Sequence, residues 1–184
     1  MSNHTRTTAT TDNVEILYHR VERLRDRFPE WDTLSHGERA ARARRLDPDS
    51  RASTHNVTLR QYHEAVIDTL ADPDVDVDVT HLALGDDDFE PAVSDTSLGN
   101  ELFRTPITDV VNNGDEILAS TFLGSGQANG NSYFEAALVS EAGGEDLFIN
   151  RLLLDDPENR LDPKTDDVTA TINITISQRD ASEV

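Results

Sequence analysis

The acidic residues of this 184-residue chain are crowded into its C-terminal part, and that crowding limits what can fold there. Residues 1–71 carry 11 arginines against 11 aspartates and glutamates, whereas residues 72–184 carry 5 basic residues against 25 acidic ones, which accounts for the whole net charge of -20. A segment with that surplus has to keep its carboxylates in solvent or paired, and it closes its core from a narrow set of apolar residues. A charge-balanced segment is better suited to lie against protein. The shift falls near Ala71-Asp72-Pro73. The expected organisation is a polar arm over residues 1–12, a helical docking segment over 13–71 and an acidic β-rich domain over 72–184.

Lysine is almost missing: Lys164 stands alone among 16 basic residues. Arginine in place of lysine, with Asp, Glu and Thr enriched, resembles the composition of proteins from salt-loving archaea and their viruses. The physics agrees, since at molar salt the Debye length shrinks to about 3 Å and dense carboxylates no longer repel over distance. With no cysteine, disulfides and thiolate metal sites are excluded. The opening MSNHTRTTATTDN has no apolar core of a signal peptide, and nowhere do 18 apolar residues run together. Neither a signal peptide nor membrane insertion is expected.

Val14, Leu17, Val21, Leu24 and Phe28 recur at spacings of three and four, and Trp31 continues the series. That predicts a helix whose seam either packs on its own domain or forms an oligomer or docking interface. Ser35-His36-Gly37-Glu38 is a capping box ahead of a second helix, in which Arg39, Arg42, Arg44 and Arg45 form a basic cluster. Four arginines without interleaved aromatics, beside an acidic domain, make a poor nucleic-acid footprint. No nucleic acid is therefore expected as partner, and Arg39, Arg42 and Arg45 join the apolar seam as candidates for contact with an acidic neighbouring subunit. A third helix is predicted from about Thr58 to Leu70, ending before Pro73.

From Val75 the period changes to two, with Val75, Val77 and Val79 alternating with Asp76, Asp78 and Thr80. Strands are predicted over His81–Gly85, Thr105–Val111, Glu116–Leu123, Tyr133–Ser140, Asp146–Leu154 and Val168–Ser177, with turns at Asp86-Asp87-Asp88 and at Asn112–Asp115 and a capped helical turn at Ser94–Leu98. The fold class read from this is α+β: a helical N-terminal segment followed by an antiparallel, sandwich-like β-domain.

Several pieces of the β-domain carry a resemblance. His81-Leu82-Ala83-Leu84-Gly85, then Pro91-Ala92-Val93-Ser94-Asp95-Thr96-Ser97-Leu98-Gly99-Asn100-Glu101-Leu102-Phe103-Arg104, then Thr121-Phe122-Leu123-Gly124 with Ala128-Asn129-Gly130, then Phe134-Glu135-Ala136-Ala137-Leu138 occur in one order. That order resembles a recurrent domain of tail, baseplate and fibre proteins of tailed viruses, and it covers about residues 79–177. The resemblance implies a structural protein of the virion, in the tail, baseplate or fibre, assembled in the host cytoplasm and acting in assembly or host attachment. Its implied partners are further copies in a symmetric homo-oligomer, other virion proteins and a host surface receptor. It also gives Glu135 the look of a carboxylate that anchors backbone or a neighbouring side chain, and it makes Asp95 and Glu101 stabilisers of a turn, the latter facing Arg104.

Catalytic chemistry finds little footing. There is no G-x-S-x-G elbow, and His63-Glu64 lacks the second histidine of a zinc motif, so no enzyme is expected. For a cofactor, the expectation is none, or a hard cation such as calcium or magnesium. Asp74, Asp76 and Asp78 alternate as oxygen ligands would, and Asp86, Asp87 and Asp88 cluster at a turn, but neither set has the glycine and distal glutamate of an EF-hand. Charges that block edge pairing account for the first set equally well. A ligand- or carbohydrate-binding β-module outside any particle is the alternative function, and it would expose aromatic residues.

Overall fold

The computed structural model describes residues 13–72, 77–114, 116–141, 144–154 and 164–177. The first element among the described residues is a strand, β1 (Asn13–Arg20), where a helix was expected. Val14, Ile16 and Tyr18 share one face of it, and Glu15, Leu17 and His19 share the other. This alternation competes with the three-and-four spacing of Val14, Leu17 and Val21, and it prevails because β1 has a partner on each side. It pairs antiparallel with β2 (Ser50–Thr58) and with β10 (Val168–Ser177).

Helix begins only at α1 (Val21–Arg27), followed by a 3-10 turn at Trp31–Thr33 and by α2 (His36–Ala43). The expected capping box is present at α2: the Glu38 N–H donates to Ser35 Oγ, and the Glu38 carboxylate accepts from the Ser35 N–H at 2.9 Å. The third helix, α3 (Arg60–Ala71), lies close to its expected span. The expectation of a helical N-terminal segment followed by a β-domain is corrected accordingly. The fold is mixed α+β, its helices are interspersed among strands, and two antiparallel sheets pack together like a sandwich.

The first sheet has the order β2-β1-β10-β6-β5, with β6 at Glu116–Leu123 and β5 at Asp109–Asn112. The second has the order β4-β3-β7-β9-β2, with β3 at His81–Gly85, β4 at Glu101–Pro106, β7 at Glu135–Ser140 and β9 at Asn150–Leu153; β8 (Leu147–Phe148) also pairs with β7. Strand β2 belongs to both, pairing with β1 through residue 55 and with β9 from Asn56 onward. The opposite margin is crossed in the same way, because β4 leads into β5 through Ile107 and Thr108 alone. The Ile107 N–H donates to the Thr80 carbonyl and the Thr108 N–H to the Ser120 carbonyl, both at 2.9 Å. Continuous chain thus turns both corners of the sandwich.

The strand expected over Thr105–Val111 is therefore divided between β4 and β5, and that expected over Asp146–Leu154 is divided at Ile149, whose side chain is fully buried. Residues 77–80 form no strand, Val75 and Asp76 lie outside the described residues, and Ser94–Leu98 is irregular chain rather than a helical turn. The charge boundary at residue 71 is not a boundary of the sheets, since β1 and β2 pair with β10 and β9 across it.

Three apolar clusters follow from the register. Val14, Ile16, Leu82, Leu84, Leu138, Leu152, Ile172 and Ile174 meet between the sheets. On the outer face of the first sheet, Phe122 packs with Val21, Leu24, Trp31, Ala40 and Ala43, which docks the α1–α2 lobe there. On the outer face of the second sheet, Ala83, Ala137, Val139 and Phe148 pack with Leu59 and Leu98. Each fully buried Leu, Ile or Phe contributes about 1.5–3 kcal/mol through the apolar surface it removes from water. Among the described residues no helix is long and apolar enough to cross a membrane.

Candidate functional site: the layer over the second sheet

Strand β9 places Arg151 beside Asn150 in a run whose other residues are apolar, Leu147-Phe148-Ile149-Asn150-Arg151-Leu152-Leu153-Leu154. Arg151 points out of the second sheet yet its side chain is only 6% exposed. Its Nε donates to Glu135 Oε2 at 2.7 Å and one terminal nitrogen to Asp95 Oδ2 at 2.8 Å, while the other lies 3.6 Å from Asp87 Oδ2. Burial disfavours the guanidinium charge, but the hydrogen bonds to Asp95 and Glu135 outweigh it and raise the pKa. Burial alone would also raise the Asp95 pKa; the Ala92 N–H and Arg151 overcome that and hold this carboxyl below the usual range.

Glu135 is fully buried and does more than face Arg151. It accepts from the backbone N–H groups of Gly99 and Asn100 at 3.1 and 3.0 Å. The carboxylate thus anchors both backbone and a side chain, as its place in the sequence suggested. The loop 86–100 is drawn so close that a Cβ at either of two glycines would force a neighbour to move. A Cβ on Gly85 would stand 2.6 Å from the Asn100 carbonyl oxygen, and one on Gly99 would overlap the Asp87 carboxylate. Segments far apart in the sequence, containing Gly85, Asp95, Gly99-Asn100 and Glu135, converge here around an arginine that the sequence reading passed over. A lone cation in a mostly apolar stretch of an acidic region was the signal available for it.

Arg104 on β4 forms a second centre of the same kind. It donates to both oxygens of Glu101 at 2.7 Å, to Glu141 at 3.1 Å, and it pairs with Asp146 at 2.8 Å. The bonds to Glu101 and then Asp146 raise its pKa, and Arg104 in turn lowers that of Asp146. The expected pairing of Glu101 with Arg104 is present. Arg104 and Arg151 each bring three carboxylates together.

The loop that this network holds also meets helix α3. Helix α3 leaves the layer at Leu59, and its first turn is tied down: the Arg60 N–H donates to the Val93 carbonyl at 2.9 Å, and Gln61 donates to the carbonyls of Thr96 and Phe148 at 3.3 and 2.9 Å. Beyond that turn no residue of α3 is buried. Ile67 is 63% exposed and Leu70 82%, and on the loop Phe89 is 74% and Val93 50% exposed. Scattered single apolar residues on a surface need no explanation; α3 combines two open aliphatics with the absence of any buried residue.

The residues expected to form a seam are dispersed. Val14 lies in the core between the sheets, and Leu17 is on the opposite face of β1. Val21, Leu24 and Trp31, with Phe28 beside them, pack inside the α1–α2 lobe. Arg39 donates to the carbonyls of Trp31 and Asp32 at 3.0 and 2.8 Å and lies over the Trp31 ring. Arg42 lies over Phe28 and faces Glu30, Arg44 reaches Asp109 on β5 at 2.6 Å, and Arg45 is exposed.

Among the aspartates singled out as cation ligands, Asp74 and Asp76 lie outside the described residues, and Asp78 and Asp88 are exposed. Asp86 accepts from the Asn100 side chain at 2.6 Å, and Asp87 turns to Arg151. Among the described residues no three His, Asp or Glu side chains are gathered as a metal ion would need. The chain's single lysine is structural. Lys164 Nζ donates to Asn129 Oδ1 at 2.7 Å and to the Ser125 carbonyl at 3.1 Å, closing the loop in which Ala128 takes a φ of 55°. Burial pushes its pKa down to about 8 against the opposing pull of Asp166 and Asp167. Compared with family models, curated proteins and solved structures, the chain matches none of them.

Proposed function

We propose that this chain is a non-enzymatic structural protein of a tailed virus of a salt-loving host, built into the tail, baseplate or fibre, where it acts in assembly or host attachment. The observation that carries the reading is the use made of the clustered charges. Glu135, Asp95 and Asp87 are engaged by Arg151 in pinning a loop, and the pinned layer presents Ile67, Leu70, Phe89 and Val93 to solvent. An active site would keep such carboxylates open to a substrate, whereas a docking surface needs them as a rigid base for apolar contacts. The order of motifs in residues 79–177 and the lysine-poor, acidic composition support the same reading. A sugar-binding face is less well served, because Phe89 is the one exposed aromatic among the described residues. Mass spectrometry of particles purified from the infected culture tests the proposal. The chain is expected among the particle proteins at a stoichiometry of several copies; its confinement to the cell lysate would reject the reading.

A further inference from the structure

The two outer faces of the sandwich differ in charge as well as in structure. The α1–α2 lobe, residues 20–45, carries eight arginines and five carboxylates. Across the sandwich, residues 86–101 carry six carboxylates, three of which face Arg151 or Arg104, and α3 adds Glu64 and Asp68 against Arg60. We propose that copies of this chain dock head to tail, the arginine-rich lobe of one seated on the α3 layer of the next. The proposal rests on the docking reading above and names its partner as a second copy.

Three observations point to that occupant. First, both faces hold charge that the chain itself leaves unanswered. Among the described residues Arg27 and Arg45 are exposed and have no carboxylate partner, and neither Glu64 nor Asp68 has a cation. Second, Glu64 and Asp68 stand one helical turn apart on the exposed part of α3, with Ile67 between them. Like charges at that spacing destabilise a helix by a few tenths of a kcal/mol, and an incoming arginine relieves the repulsion. Third, a two-fold dimer through α3 would set these carboxylates against their own copies, whereas the lobe offers the opposite sign together with half-buried Phe28 and Leu34. At molar salt the contact remains effective, because ion pairs at 3–4 Å sit within about one Debye length and apolar burial is not subject to charge screening. Since the two patches are different, the contact is heterologous, and it produces a ring or an open stack rather than a closed pair.

Two variants of exposed residues, measured by light scattering in molar KCl, test the geometry. Ile67→Glu with Leu70→Glu disables the α3 face, and Arg27→Glu with Arg45→Glu disables the lobe. The unaltered chain is expected to associate beyond a dimer. Each variant alone is expected to be monomeric, its self-association weakened on the order of thirtyfold or more, as for loss of central interface residues. An equimolar mixture is then expected to stop at a 1:1 dimer, because the one intact lobe meets the one intact face while the two disabled, both acidic, patches repel. A lobe variant that associates like the unaltered chain would overturn the proposal in favour of α3 pairing with itself. A monomeric unaltered chain would overturn self-docking as well, yet leave the virion reading to the particle composition; the chain's absence from particles with association intact would reject that reading alone.

Discussion

The layers on the two outer faces of the sandwich are fastened by different physics. The α1–α2 lobe is held to the first sheet by apolar packing around Phe122, Trp31 and Leu24, and four of its eight arginines reach one carboxylate each at the surface: Arg23 to Asp49, Arg25 to Asp32, Arg42 to Glu30, Arg44 to Asp109. The layer over the second sheet has a smaller apolar cluster and is fastened through Arg151 and Arg104, each gathering three carboxylates. Where cations are plentiful each does little, and where they are scarce each becomes a hub. An acidic region can thus be fastened without a large apolar interface when each of its few arginines faces several carboxylates at once, the buried Arg151 most of all.

The largest effect that would test this contrast is removal of the buried hub. Arg151→Met leaves fully buried Glu135 without its cation and is expected to cost about 3–5 kcal/mol, read as a shift of the denaturation midpoint in molar KCl. Adding Glu135→Gln to the same chain should recover part of that loss. A cost below about 1 kcal/mol would mean that the loop is held by its backbone bonds alone and that the contrast with the lobe is false.

A smaller effect probes the closeness of the loop. Gly99→Ala forces its new methyl group into Asp87 and is expected to cost about 1–3 kcal/mol, with faster hydrogen exchange at the amides of residues 99 and 100. A neutral Gly99→Ala would show that Asp87 can swing away without loss. The smallest effect is expected in the lobe. A double-mutant cycle on Arg44 and Asp109, a half-exposed pair, should give a coupling of about 0.2–1 kcal/mol. A coupling as large as that of the hub would erase the distinction between the two layers.

The parts of this fold that were legible in the sequence are those where a local pattern and the tertiary structure agree. β10 alternates strictly from Val168 to Ile176, and the Ser35–Glu38 box fixes the start of α2. β1 was misread because Leu17 completes a helical spacing with Val14 and Val21, while Ile16 and Tyr18, which carry the alternation into the core, interrupt it. β2 gives hardly any signal of its own: Ser50–Thr58 is mostly polar, and it is a strand because β1 and β9 each offer it a ladder. The candidate site was half legible. The roles of Glu135 and of Glu101 with Arg104 could be read from their motifs, but Arg151, on which the loop depends, belongs to none of them. The apolar series is divided where β1 ends: Val14 and Leu17 fall on opposite faces of the strand, while Val21, Leu24, Phe28 and Trp31 pack together in the lobe, as the own-domain alternative expected.

One feature of the first sheet bears on how the molecule is made. β1, the earliest described strand, lies between β2 and β10, and its ladder with β10 joins residues 13–20 to residues 168–175. On the ribosome, β1 and β2 emerge early and can form a hairpin, but the place beside β1 stays vacant until residues 168–177 have left the exit tunnel. β6 waits for the same strand, since β10 fills the gap between them. The sheet therefore cannot mature segment by segment during synthesis. Its closure is a single late event between distant parts of the chain, of the slow kind that long-range strand pairing imposes.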